Sequence, residues 1–116
     1  MKPLAALLSI AAVLAFIRAP ARAADAQDNY TSFCMKCHGP RGRGDGPSVS
    51  SLATKPEDFT DCAAMRKISD DTMLEVIKGG GAAARLSADM PGWSGGLSDP
   101  EIYDLIAFVR AFCTKR

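Results

Sequence analysis

Cys34-Met35-Lys36-Cys37-His38 gathers two thiols and the only imidazole of the chain into five residues. Thiols one helical turn apart can each add to one vinyl group of a haem, forming thioethers, and the residue that follows then presents a ring nitrogen to the iron. C-x-x-C-H is the covalent haem-attachment signature. Two other chemistries use similar letters. A structural zinc site needs four ligands, and Cys62 and Cys113 are the only further thiols. A thioredoxin-like dithiol belongs to an α/β pattern, and no stretch of this sequence shows period-2 alternation. One covalent haem c, attached through Cys34 and Cys37 and ligated by His38, is therefore the expected cofactor.

The second axial position of such an iron sets what it can do. With no second histidine, bis-His ligation within one chain is excluded, and methionine is the next thioether or nitrogen donor to weigh. Of the five methionines, Met1 belongs to the leader described below, and Met35 is tethered inside the attachment run. Met73 falls at core spacing in a helix, where a gap-filling methionine is ordinary. Met65 sits on a short possible helix beside Cys62 and is the runner-up. Met90 is flanked by Asp89 and Pro91 in a glycine-rich loop with no helical period. Elimination favours Met90 as the second ligand, and 52 residues from His38 to Met90 are enough chain to cross a haem.

These residues need elements to hold them. Tyr30, Phe33, Cys34 and Cys37 recur at i, i+3, i+4 and i+7, the face of an amphipathic helix over about 25–37. Gly39 to Pro47 holds four glycines and two prolines in nine residues, a loop that turns tightly beneath the haem. Its glycine spacing matches neither nucleotide-binding fingerprint, and its Arg-Gly-Asp tripeptide is of a length that arises by chance. Residues 48–60 are polar and irregular, 61–67 form a helical turn, and Ser69 caps a helix with Asp70 and Asp71 in its first turn. Gly79-Gly80-Gly81 ends that helix. After a loop carrying Met90-Pro91-Gly92-Trp93, Ser98, Pro100 and Glu101 start the last helix as a capping box. Ile102, Leu105, Ile106, Val109, Phe112 and Cys113 are its inward stripe. The fold class is all-α: three or four short helices around one haem.

Residues 1–23 read as a signal peptide: Lys2, an apolar run from Leu4 to Ile17, and an Ala21-Arg22-Ala23 cleavage site. That run of 14 residues is shorter than the roughly 20 that span a bilayer as a helix. Cleavage would leave one domain, 24–116, without a membrane span. Lys2, Arg18 and Arg22 would leave with the signal, so 14 basic residues become 11 against 13 acidic ones, a net charge of −2. A nucleic-acid partner calls for a basic excess that is not there.

The run Cys34 to Gly39, the following Gly44-Asp45-Gly46-Pro47, the late Met90-Pro91 and the closing segment from Leu97-Ser98-Asp99-Pro100-Glu101-Ile102 to Val109-Arg110 together resemble small bacterial class I monohaem cytochromes c. The resemblance covers nearly the whole chain after the signal. It implies the class I cytochrome c fold, with N- and C-terminal helices packed across each other, and periplasmic electron transfer by a His38/Met90 haem. It further implies that the Pro47 carbonyl accepts a hydrogen bond from His38 Nδ1, and that Trp93 lies at the haem edge.

Cys62 and Cys113 depart from the plainest pattern of that family. With Cys34 and Cys37 consumed by thioethers, one disulfide remains possible, and the oxidising periplasm favours it over two buried thiols. The expected function is a monomeric, diffusible one-electron carrier, not an enzyme. Redox partner proteins would dock near Cys34 and Cys37, with Lys36, Arg41, Arg43 and Lys55 as a charged rim. A haem c subunit of a periplasmic dehydrogenase or oxidase complex is the alternative. A five-coordinate sensor or peroxidase, in which Met90 does not ligate, ranks below both, because no distal histidine is available.

Overall fold

The computed structural model describes residues 21–114. Most of the expected signal peptide lies outside them; its last three residues open helix α1 (Ala21–Asn29). That helix does not continue as a plain α-helix. Tyr30–Cys34 form a widened, π-type turn, in which the Met35 N–H reaches back to the Tyr30 carbonyl, and α2 (Met35–His38) follows. The i, i+3, i+4, i+7 reading of this segment missed that change of pitch. π turns are rare and recur at functional sites, and this one immediately precedes the attachment run.

After α2 the chain turns through the glycine loop. Gly44 N–H bonds to the His38 carbonyl (2.8 Å), Gly46 N–H to Cys37 (3.0 Å) and Ser48 N–H to Lys36 (3.0 Å), so the loop wraps the last turn of α2. Several of its glycines leave no room for a side chain, Gly42 and Gly44 among them. Gly42 has φ +70°, and a Cβ there would come within 2.8 Å of the Phe112 ring; Gly44 has φ +68°, and a Cβ would meet the Pro56 carbonyl at 2.5 Å.

The remaining helices start where their caps dictate. Asp61 caps α3 (Cys62–Met65), its carboxylate accepting the Ala64 N–H. Ser69 caps α4 (Asp70–Gly79) by accepting the Thr72 N–H at 3.1 Å. Gly80, at φ +84°, ends α4, its N–H bonded to the Val76 carbonyl. Ser98 and Glu101 form the expected capping box of α5 (Asp99–Ala111). Short 3₁₀ turns at Val49–Ser51 and Ala82–Ala84 complete the set. Among the described residues there is no strand, and the fold is all-α.

Helix α5 is the centre of the core. It packs against both α1 and α4 and contributes Ile102, Leu105, Ile106 and Val109, all buried. Tyr30, Met65, Met73, Ile77 and Leu97 surround them. Burying each such side chain is worth about 1.5–3 kcal/mol, so α5 is held chiefly by this stripe. Polar ties fix its azimuth. Arg110 bonds the Met65 and Ile68 carbonyls at 3.1 and 2.6 Å and the Asp70 carboxylate at 2.6 Å, and Lys78 pairs with Asp99 at 2.8 Å. At its C-terminal end Cys113 lies opposite Cys62, with Cα atoms 5.2 Å apart, inside the range a disulfide spans. Among the described residues no helix is long and apolar enough to cross a membrane.

Candidate functional site

The principal cavity is about 420 Å³, within the roughly 300–1,000 Å³ typical of ligand pockets. Cys34, Cys37 and His38 line it from α2 and the turn before it, and Met90 and Trp93 from the loop ahead of α5. Met65, Met73, Leu105 and Val109 extend the core into it. All four residues expected to bind the haem are thus brought to one cavity. Met65 and Met73 reach it too, as core side chains 2% and 7% exposed, whereas Met90 is half-buried in its loop.

The loop that carries Met90 is held by backbone bonds. Gly81 N–H bonds to the Met90 carbonyl at 3.0 Å, and the N–H groups of Trp93 and Ser94 bond to the carbonyls of Ile77 and Lys78 at the end of α4. Asp89 accepts the Ala53 N–H at 2.8 Å, tying this loop to the 48–60 segment. Trp93 stacks obliquely on Phe33, ring centroids 5.0 Å apart, and lines the cavity as the sequence suggested.

On the side of the attachment run, burial dominates the chemistry. It pushes the Cys34 thiol up to about 11, with the neighbouring Cys37 adding to the shift, so Cys34 is a neutral thiol at physiological pH. Burial also lowers the pKa of His38, against the opposing effect of a hydrogen bond to the Glu57 carbonyl. The imidazole is therefore neutral near pH 7. A carbonyl can only accept, so in that contact, 3.4 Å from Nδ1, the proton sits on Nδ1 and leaves the Nε2 lone pair for a metal.

The partner of His38 differs from the one the resemblance implied. Pro47 is exposed, because the bonds of Gly44 and Gly46 to the α2 carbonyls wrap the loop around the backbone of residues 36–38 instead. The Glu57 carbonyl takes the expected role. Two residues later the Phe59 ring stacks on the imidazole, centroids 4.4 Å apart and planes 13° from parallel. Tyr30 is a further contributor: its buried hydroxyl donates to the Gly39 carbonyl at 2.7 Å, fixing the residue after His38. Burial raises its pKa well above the ordinary phenol value, with smaller contributions from Cys34 and Asp45. Sequence reading missed Glu57 because any residue has a carbonyl, and used Tyr30 only as a helix-face residue. Phe59 did carry a signal, as the one aromatic in the polar stretch from 48 to 61.

The donor set fits a covalently held haem. Two thiols and an imidazole sit at the wall of a mostly apolar cavity large enough for a planar macrocycle, with thioethers lining the same space. A zinc centre has no such support: among the described residues no group of three or more His, Cys, Asp or Glu side chains could hold a metal ion. Cys62, the other candidate thiol, faces Cys113.

Comparison with known proteins points the same way. Residues 21–109 match the family described as cytochrome c oxidase, cbb3-type, subunit III. Among solved structures, the KustC0563 c-type cytochrome is 26% identical with a TM-score of 0.61, the match covering 76% of this chain and 96% of that one. No curated protein matches the chain. The haem-attachment run, the apolar cavity it lines, the all-α fold and the extent of the family match together place this chain in that family of c-type cytochromes, as a small class I monohaem domain carrying covalently bound haem.

Proposed function

We propose that this c-type cytochrome is a periplasmic one-electron carrier whose iron is held by His38 and Met90, exported through residues 1–23 and acting as the domain 24–116. The observation that carries the reading is the convergence of the C-x-x-C-H run and Met90 on one cavity, in a chain with a single histidine. When bound, the haem supplies a one-electron ferric–ferrous couple. The chain's own residues do the rest. Cys34 and Cys37 anchor the group through thioethers, and His38 offers Nε2 while Glu57 holds Nδ1–H. Met90 would hold the iron together with His38, and with both ligands in place no position would be open to substrate. Met73, Leu105 and Val109 keep the cavity apolar, which with thioether ligation favours the ferrous state. Lys36, Arg41, Arg43 and Lys55 form the charged rim for redox partners, and Cys62–Cys113 is a disulfide.

The test is a redox titration of the purified holoprotein with its absorption spectrum. Haem that resists acid–acetone extraction and a weak far-red band from iron–thioether coordination in the ferric form are expected. Haem stripped by the extraction sinks the reading.

A second reading follows from the family description, which names an oxidase subunit. In that case the domain passes electrons within a complex rather than by diffusion. Solubilised and purified from its native host under mild conditions, the protein would then travel with larger partners; a carrier elutes alone.

A further inference from the structure

One short segment holds His38 from two directions. The Glu57 carbonyl lies 3.4 Å from Nδ1, a long hydrogen bond. Such a bond locates one ring atom but leaves the plane of the ring poorly defined, since the terminal torsion of histidine is broad. The Phe59 face supplies the missing constraint, lying 13° from parallel at 4.4 Å.

Phe59 is itself held. Its N–H bonds to the Gly42 carbonyl at 2.7 Å, and its ring is stacked on Phe112, 6.4 Å away and 16° from parallel. Phe112 in turn lies against Gly42, where even a Cβ would collide with it. It packs edge-on to Phe108 (5.4 Å, 85°) and obliquely on Tyr30 (5.3 Å). Three nearly parallel rings, His38, Phe59 and Phe112, therefore run from the cavity wall to the end of α5. Cys62, three residues after Phe59, meets Cys113, one residue after Phe112, so the segments carrying Phe59 and Phe112 are brought together at a second point.

We propose that Phe59 is the positioning residue that sets the plane of the axial imidazole, with Phe112 as its backstop. The proposal rests on His38 being the axial ligand. Ring orientation controls how the imidazole overlaps the metal orbitals, and an aromatic face against the ligand keeps water from it. Both are ways in which neighbouring groups tune a ligated metal.

The experiment compares reduction potential, ferric low-spin EPR g-values and unfolding midpoint in the holoproteins of the parent, Phe59→Leu, Phe59→Tyr, Phe112→Leu and His38→Ala. Phe59→Leu keeps apolar bulk but removes the flat face. It should retain covalent haem, shift the potential to a more negative value and broaden the g-value distribution. Phe59→Tyr keeps the face and should restore both. Phe112→Leu touches Phe59 and not His38, and should shift both in the same direction by less. Should Phe59→Leu fail to mature, the Phe112→Leu and Phe59→Tyr pair decides the matter by the same readouts. A lowered midpoint with potential and g-values unchanged makes Phe59 a packing residue only and overturns the proposal, as does failure of tyrosine to restore them. His38→Ala separates this from the ligand reading. Retention of the parent low-spin spectrum there removes the His38 assignment itself and the proposal with it. Loss of that spectrum beside an unmoved Phe59→Leu overturns the stack alone.

Discussion

Three thioethers, Met65, Met73 and Met90, line the haem cavity, and choosing among them is a question of mobility and cost. Met65 and Met73 are packed core side chains, so turning either sulfur toward an iron would open a void in a close-packed interior. Met90 is half-buried in a loop, and its sulfur can turn without emptying the core. Met90→Ala should abolish the far-red band, lower the reduction potential and admit exogenous ligands such as cyanide or imidazole. Met65→Ala should leave the band in place and instead destabilise the fold by about 2–5 kcal/mol. The reverse pattern in absorption and ligand-binding titrations would transfer the role to Met65. At this scale the sequence singles out residues whose chemistry is intrinsic, thiols, imidazole and thioether, and these residues line one cavity. The sequence was a poor guide to what holds them. A backbone carbonyl such as that of Glu57 has no identity in a sequence, and Phe59 reaches His38 only because an aperiodic segment bends back on α2.

The helices were legible mainly through their ends. Ser69 and the Ser98–Glu101 box are local signals, complete within four residues, and no tertiary contact is needed to read them. Glu101 Oε2 accepts both the N–H and the hydroxyl of Ser98, at 2.8 and 2.7 Å, and these bonds hold its pKa below the usual carboxylate range. A depressed folded-state pKa contributes stability that is present above the unfolded value and lost as pH falls through the folded one. The box should therefore weaken on acidification below the ordinary glutamate range. Glu101→Gln should flatten that part of the stability–pH curve, and Ser98→Ala should cost about 1 kcal/mol at neutral pH, both read by thermal denaturation. The π turn at Tyr30–Cys34 had no such signature, since its wider pitch satisfies packing on both sides rather than any local preference. A π turn amounts to one residue inserted in an α-helix. Deleting exposed Ser32 should convert it to regular helix, keep α1 packed on α5 and Cys34 at the cavity, and leave a folded, haem-loaded protein. Deleting Ala107 from α5 would rotate Val109 out of the core, and that chain should fail to accumulate.

Across the whole molecule, segments far apart in sequence meet at α5. Leu105 and Val109 line the haem cavity, Arg110 clamps the join between α3 and α4, and Cys113 faces Cys62 at a separation of 51 residues. Closing a loop of that length by a disulfide removes unfolded-chain freedom worth up to about 4 kcal/mol in the chain-entropy model, a large share of the ~5–15 kcal/mol that stabilises a typical domain. Cys113→Ser should lower the unfolding midpoint markedly while the covalent haem is retained. Titration of the denatured, unreduced holoprotein should find no free thiol. The crossing of the first and last helices was accessible from the family resemblance, but the site of each tie was not, because nothing local in Arg110 specifies the carbonyls of Met65 and Ile68. There is a consequence in time as well as in space. The attachment run is complete at residue 38, yet the cavity gains its α5 wall only when residues 99–111 have been made and docked. Until haem is attached Cys34 and Cys37 would stand as open thiols in that interval, and Cys62 precedes its own partner by 51 residues. Exported into an oxidising compartment, as proposed, such a chain would be exposed to mispairing among these three, and its yield would depend on which arrives first: the haem, a reductant, or the last helix.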